Sequence, residues 1–201
     1  MRGRSGAASA AVAVAAIFLL GFQSPEAMPK RVGIPLACSR GGGGQQHEVA
    51  VTVPASVAPR GRYKVRVDGI DTGKISHFGL NYIFDMESEW PIPPGTEYVD
   101  GSAHVVAGTG SENVRPGAYA VRQGASIHLV LPAHVDNGVG YTPPSFEFEL
   151  LAPSAEGASI TQRFASYSVS ARALVVGVLR TTCEPMPKTF PVAVTRVESK
   201  Q

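Results

Sequence analysis

The sequence predicts an all-β fold, an antiparallel β-sandwich of immunoglobulin-like or similar form. Three observations carry this reading. Short stretches alternate apolar and polar residues at period two, the pattern of a half-buried strand. Clusters of Gly, Pro, Asn and Asp separate them at spacings of roughly 8 to 14 residues, which suits a sandwich or barrel. No helical pattern of about 10–15 residues lies between the strands, which argues against a parallel βαβ sheet. The 201 residues include 22 Gly and 16 Pro with 17% charged residues, and 44% are hydrophobic, enough to build a core.

The elements follow in order. "HEVAVTV" (47–53) and "RYKVRVDG" (62–69) alternate cleanly. "ISHFGLNYIFDM" (75–86) is longer and aromatic-rich, and "PIPPGT" (91–96) forces a turn after Trp90. "EYVDGSAHVVAG" (97–108), "GAYAVR" (117–122) and "SIHLVLP" (126–132) repeat the theme. In "SFEFELLA" (145–152), Phe146, Phe148 and Leu150 share one face, and Glu147 and Glu149 the other. "SITQRFASYSV" (159–169), "RALVVGVL" (172–179) and "FPVAVTRV" (190–197) complete about nine or ten strands. The organisation expected is a signal peptide or N-terminal anchor (1–27), a flexible lead-in (28–46) and a single β-sandwich domain (47–198).

Residues 1–27 carry Arg2 and Arg4 and then an apolar run from Ala7 to Phe22. A basic start, a short apolar centre and small residues after it read as a secretory signal cut after Ala27. Pro25 fits the cleavage pattern poorly, so an uncleaved anchor is the alternative. The formal charge of +2 includes no clustered Lys and Arg, so neither a nucleic-acid footprint nor a polybasic membrane anchor is expected. Export would place Cys38 and Cys183, the two cysteines of the chain, in an oxidising compartment, where a pair is most simply a disulfide. Two free thiols are the alternative, although neither has a His neighbour or a C-x-x-C partner to lower its pKa.

The motifs that could carry chemistry are incomplete. His47, His77, His104, His128 and His134 are isolated in sequence, so no metal site is expected. "DGIDTG" (68–73) lacks the remaining ligands of a calcium loop. "GIDTGK" (69–74) has the wrong spacing for a P-loop, and no G-x-G-x-x-G opens a helix, so no nucleotide or other cofactor is expected. There is no G-x-S-x-G elbow. Ser126 and His128 would share a strand face, and Ser126, His128 and Asp136 can be drawn as a triad, but the spacing does not make an activated set. Glu147 and Glu149 would project about 7 Å apart, as a glycosidase pair might require, or simply form a solvated face. No catalytic residues are assigned.

Several segments together resemble a known group. "VTVPASVAPRGRYKVRVDG" is similar to a P-x-x-V-x-x-G-x-x-F-x-V opening, and "WPIPPGTEYVDGSA" to a (V/L)P-(V/I)P-x-(G/N)-T-x-Y-V-x-x-S centre. "TTCEPMPKTFPVAVTRV" is similar to a C-x-P-x-P element before a final strand. The chain thus resembles small secreted β-sandwich proteins of actinobacteria over nearly all of residues 38–197. Trp90 and "FDMESEW" (84–90) depart from the pattern. The resemblance implies no catalytic signature, and it implies one disulfide, Cys38 with Cys183. With Cys38 just before the first predicted strand and Cys183 between the last two, such a bond reads as a peripheral clamp on the two ends of the domain.

The function expected is therefore that of a non-catalytic protein, secreted or associated with the cell envelope. Its partner would be a lipid, a polysaccharide or an envelope protein, with Trp90, Tyr98 and Tyr141 as a candidate contact surface. Membrane attachment is expected only if the N-terminal segment is retained. The alternatives are a structural envelope component held by that segment, or a secreted hydrolase of wall polysaccharide or lipid ester.

Overall fold

The computed structural model describes residues 28–40, 45–188 and 190–199. The predicted signal or anchor segment, 1–27, lies outside them. The described residues contain no helix, and so none long and apolar enough to cross a membrane. The strands are β1 (Lys30–Cys38), β2 (Gln45–Thr52), β3 (Ser56–Val57), β4 (Arg62–Gly69), β5 (Leu80–Pro91), β6 (Glu97–Tyr98) and β7 (His104–Val105). They continue as β8 (Tyr119–Gln123), β9 (Ser126–Asp136), β10 (Phe146–Leu151), β11 (Ser159–Arg163), β12 (Ser166–Ala173), β13 (Gly177–Pro185) and β14 (Pro191–Val197).

Eleven strands form one sheet in the order β6-β10-β4-β2-β1-β13-β12-β5-β9-β8, with β7 also paired to β10. A second sheet has the order β11-β14-β3. Every ladder is antiparallel except β14 with β3, which is parallel. The long sheet folds so that its two halves enclose the core. Trp90 of β5 meets Phe146 of β10 edge-on, with ring centroids 5.8 Å apart. Phe164, just after β11, packs edge-on against the same indole at 5.2 Å.

Alternation decides which face each strand buries. Phe146, Phe148 and Leu150 of β10 are fully buried, as are Val65 of β4 and Ile127 of β9. Each such side chain contributes about 1.5–3 kcal/mol when removed from water. A one-residue slip would turn the whole set outward, so this burial fixes the register. In β5 the alternation changes phase. Ile83 and Met86 both face the core, three positions apart, because Asp85 sits at φ 48° where the ladders to β9 and β12 shift register. Asp tolerates the left-handed region better than most residues, and the irregularity re-aims the strand. This accounts for the irregular pattern of 84–90.

Three sequence expectations are corrected. The lead-in 28–46 is not simply flexible: Lys30–Cys38 is a strand paired with β2 on one side and β13 on the other. Residues 41–44 of that lead-in lie outside the described set. Pro35 is tolerated because it stands at the end of the β13 ladder: its carbonyl accepts the Met186 N–H at 2.8 Å, and its missing N–H forgoes only the return bond at this last position. Ile75–Gly79 is not strand, and β5 runs on through Trp90 to Pro91. The Cys38–Cys183 disulfide is formed, but not as a peripheral clamp. The two cysteines face each other in register on β1 and β13, and Cys183 belongs to the buried core.

Candidate functional site

The residues 70–79, between β4 and β5, form a strap across one end of the folded sheet. Its hydrogen bonds run to the segment 137–141. Thr72 N–H donates to the Tyr141 carbonyl at 2.9 Å, and Tyr141 N–H returns to Thr72 Oγ1 at 3.1 Å. Gly138 N–H donates to the Ile75 carbonyl at 2.6 Å. Asn137 clamps His77 from both sides, its Oδ1 accepting the His77 N–H at 3.1 Å and its Nδ2 donating to the His77 carbonyl at 3.2 Å. The two segments touch so closely that a β-carbon on Gly140 would lie 2.5 Å from the Gly73 carbonyl oxygen. Only glycine permits that approach.

Beneath the strap is a cavity of about 680 Å³, within the roughly 300–1,000 Å³ range of ligand sites. Its wall is the inner face of β12 and β13, with Val169, Ala171, Ala173 and Leu179 pointing into it. Leu80 and Ile83 of β5 and Leu36 of β1 continue that apolar wall, and Ile70, Ile75 and Phe78 of the strap cover it. The space exists because Ala171 and Ala173 stand where larger residues would fill the gap.

The inner end of the cavity is polar and aromatic. The Tyr141 and Tyr167 hydroxyls are 2.9 Å apart. Burial raises the pKa of both phenols, and that of Tyr167 is raised further by its contact with Tyr141. Both therefore remain protonated donors. His47 of β2 stacks on Tyr167, with ring centroids 5.5 Å apart and planes at 20°, and meets Phe164 at 5.4 Å. Burial pushes its pKa down to about 4, so at neutral pH the imidazole is uncharged. The site offers an apolar wall with neutral hydrogen-bonding groups at the Tyr141–Tyr167–His47 end, and the exposed Arg40, Glu48 and Asp71 bring charged side chains to its margin, a combination suited to an amphiphile.

The residues singled out from the sequence lie elsewhere or in other roles. Trp90 is in the core, its indole N–H donating to Ser88 Oγ at 3.1 Å. Tyr141 is buried at the cavity. Tyr98 is half-buried, its hydroxyl accepting the Ala103 N–H at 3.0 Å beneath the Arg122 guanidinium. The three do not make a contact surface; of them, Tyr141 alone lines the cavity.

Ser126 and His128 share the outer face of β9, but each is tied to a glutamate of β5. Ser126 Oγ donates to Glu89 Oε1 at 2.8 Å, and His128 Nδ1 lies 2.7 Å from Glu87 Oε1. Asp136 pairs with His134 at 2.8 Å. Glu147 and Glu149 face cations of β4: Lys64 and Arg66 approach Glu147 at 2.7 and 3.1 Å, and Arg62 approaches Glu149 at 3.4 Å. Burial would raise the Glu147 pKa, but the hydrogen bonds and charges of Lys64 and Arg66 outweigh it and lower it. A glycosidase acid needs the opposite shift. Among the described residues no group of three or more His, Cys, Asp or Glu is placed to hold a metal ion.

The sequence reading missed His47 as a site residue, along with Tyr167 and the alanines of β12. The alternation of 47–53 already puts His47 on the face of Val49 and Val51; what it cannot show is the stacking on Tyr167 and Phe164, which come from distant segments.

No protein-family model matches the chain, and no curated protein does. Solved structures resemble it distantly. The collagen-binding domain of the Erysipelothrix rhusiopathiae surface protein RspB is 11% identical with a TM-score of 0.42, over 85% of this chain and 57% of that one. A cohesin module from a Clostridium perfringens family 33 glycoside hydrolase is 8% identical with a TM-score of 0.34, over 76% of this chain and 96% of that one. The Bacillus cereus major pilin subunit BcpA is 9% identical with a TM-score of 0.39, over 81% of this chain and 48% of that one. The chain thus spans about half the length of the RspB and BcpA structures. The assignment as a β-sandwich rests on this chain's own strand pairing.

Proposed function

We propose that this chain is an exported, non-catalytic β-sandwich protein of the cell envelope or extracellular space that holds a lipid-type ligand beneath the strap. The observation that carries the reading is the cavity of about 680 Å³ with apolar walls and a Tyr141–Tyr167–His47 inner end. Its volume suits an acyl chain or a compact apolar group, and its uncharged polar end suits an ester, hydroxyl or protonated acid. A polysaccharide would need a row of exposed aromatic platforms; Trp90 and Tyr141 are buried, and the exposed Phe78 and Tyr119 stand on different elements, the strap and β8. Export is supported by the apolar 1–27 segment and by the disulfide, which belongs to oxidising compartments. A non-catalytic role is supported by Ser126, His128, Glu147 and Glu149, each engaged with partners that hold it away from nucleophilic or acid–base work.

The test is titration of the oxidised protein with a fatty acid carrying an environment-sensitive dansyl group. Saturable fluorescence enhancement is expected, and Ala171→Trp, which places an indole in the trough, abolishes it without lowering the thermal midpoint. Absence of enhancement with the wild type, or full binding by a folded Ala171→Trp variant, would overturn the reading.

A further inference from the structure

The Tyr141–Tyr167–His47 end of the cavity holds hydrogen-bonding capacity that the protein does not use. The two phenols carry two protons, and the 2.9 Å bond between them uses one. The other is left to donate, because among the described residues no further hydrogen bond reaches either hydroxyl. Tyr141 is buried, where a donor without an acceptor is costly. His47 adds two more sites. Stacking on Tyr167 and Phe164 engages the faces of its ring, and its nitrogens have no hydrogen bond among the described residues. In the neutral ring one nitrogen donates and the other accepts. This end therefore offers two donors and a nitrogen acceptor. An ester only accepts and would leave that nitrogen unmet, whereas a hydroxyl both accepts and donates.

Charge argues against the other common head group. Among the described residues that line the cavity, Arg40 is the single fixed cation, and it is exposed at the margin. Glu48 and Asp71 bring two carboxylates to the same margin. Asp71 accepts the Gly73 N–H at 2.8 Å, which holds its carboxylate in place and leaves its charge. A fatty carboxylate entering here would pass a margin with more negative than positive charge. At the phenols it would then meet neutral donors with no cation behind them, and a buried charge without a counter-charge is strongly disfavoured.

We infer that the cavity selects an uncharged amphiphile whose polar end is a hydroxyl, over both the ester and the carboxylate of the same chain length. The hydroxyl donates to the bare nitrogen of His47 and accepts from the spare phenol proton of the Tyr141–Tyr167 pair, while the chain lies along Val169, Ala171 and Leu179. This selection rests on the lipid site proposed above and names the head group left open there.

The experiment displaces the dansyl fatty acid from the oxidised protein with dodecanol, methyl dodecanoate and dodecanoate at about pH 8, where the last is ionised. Dodecanol is expected to act at about fivefold lower concentration than the ester, the effect of one hydrogen bond. Against dodecanoate the expected ratio is at least about tenfold. The ester is no less apolar than the alcohol, so the first ratio reports hydrogen bonding rather than partition. His47→Phe, which keeps a ring and removes both nitrogens, erases the alcohol-over-ester ratio. Glu48→Gln/Asp71→Asn narrows the gap to dodecanoate by about twofold and leaves that ratio alone. Equal displacement by dodecanol and the ester, or by dodecanol and dodecanoate, overturns the selection, as does an alcohol preference that folded His47→Phe retains. Stronger displacement by dodecylammonium than by dodecanol would assign the margin carboxylates to a cationic head group and overturn it equally. A probe that never binds is a different result: it overturns the lipid reading itself, and the selection falls with it.

Discussion

Acidifying the solution should destabilise the protein through His47. Its pKa is pushed down to about 4 by burial against Phe164 and Tyr167, whereas an ordinary histidine titrates at 6.5. Between those values the unfolded chain binds a proton that the folded chain refuses. The stabilising effect of the neutral ring is therefore complete above about pH 6.5 and lost as pH falls toward 4. At about pH 5 the unfolded imidazole is nearly all protonated and the folded one hardly at all, which amounts to about 2 kcal/mol. That is a large fraction of a total of about 5–15 kcal/mol. The assay is urea unfolding at about pH 7 and about pH 5 on the wild type and on His47→Phe, which keeps an aromatic ring between its neighbours and cannot titrate. The wild type should lose about 2 kcal/mol more than the variant over that interval. The other histidines contribute alike to both proteins and drop out of the difference. Equal losses in the two proteins would refute the burial argument and return His47 to an ordinary, hydrated ring.

Two other perturbations test the frame around the cavity. Cys38→Ala/Cys183→Ala opens a bridge across 145 residues and is expected to lower the unfolding free energy by up to about 5 kcal/mol, read from urea midpoints. Hydrogen exchange should rise first at Leu36–Cys38 and Cys183–Pro185, the three register pairs that join β1 to β13; uniform exchange across the sheet would contradict this. Glu147→Gln removes the negative charge shared by Lys64 and Arg66 and turns one of its two acceptor oxygens into a donor, which should cost about 1–2 kcal/mol at neutral pH, discounted for the exposed cations. Because the Glu147 pKa is lowered from 4.5, that contribution is present above about pH 4.5 and fades below it. The variant and wild type should therefore converge in acid, in a range below the one governed by His47.

Where a strand has one buried and one wet face, its pattern in the sequence was sufficient. β4 occupies the span read from "RYKVRVDG", and β10 buries Phe146, Phe148 and Leu150 as their alternation required. β1 escaped notice because Gly33 and Pro35 are strand breakers by composition, and only the position of Pro35 at the end of one ladder makes it harmless. β13 carries Thr181 and Thr182 where a core strand would show branched apolar residues. The run 172–179 misleads in the opposite direction: its apolar composition is that of a strand, but its middle is a solvent-facing turn. Ser126 and His128 do share a face, but what they do is decided by Glu87 and Glu89, which come from another strand. The cavity had no signature at all. A void is defined by what two facing surfaces leave unfilled, and Ala171 is an unremarked alanine until the strap above it is in place.

The free margins of the two sheets have a consequence for how copies of this chain meet. The long sheet ends at β8, five residues, and on the other side at β6 and β7, two residues each. The smaller sheet ends at β3, two residues, and β11, five residues with a register shift at Arg163. Long, flat margins are the templates on which chains zip together backbone to backbone. At β3, β6 and β7 these margins give an incoming strand only a turn's length of donors and acceptors to match, and at β8 and β11 five residues each. Among the described residues, these margins therefore offer neighbouring copies little on which to extend one another's sheets. Contacts made by the described residues are thus left mainly to side chains, which can be substituted on the outer faces with little cost to the hydrogen-bonded frame beneath.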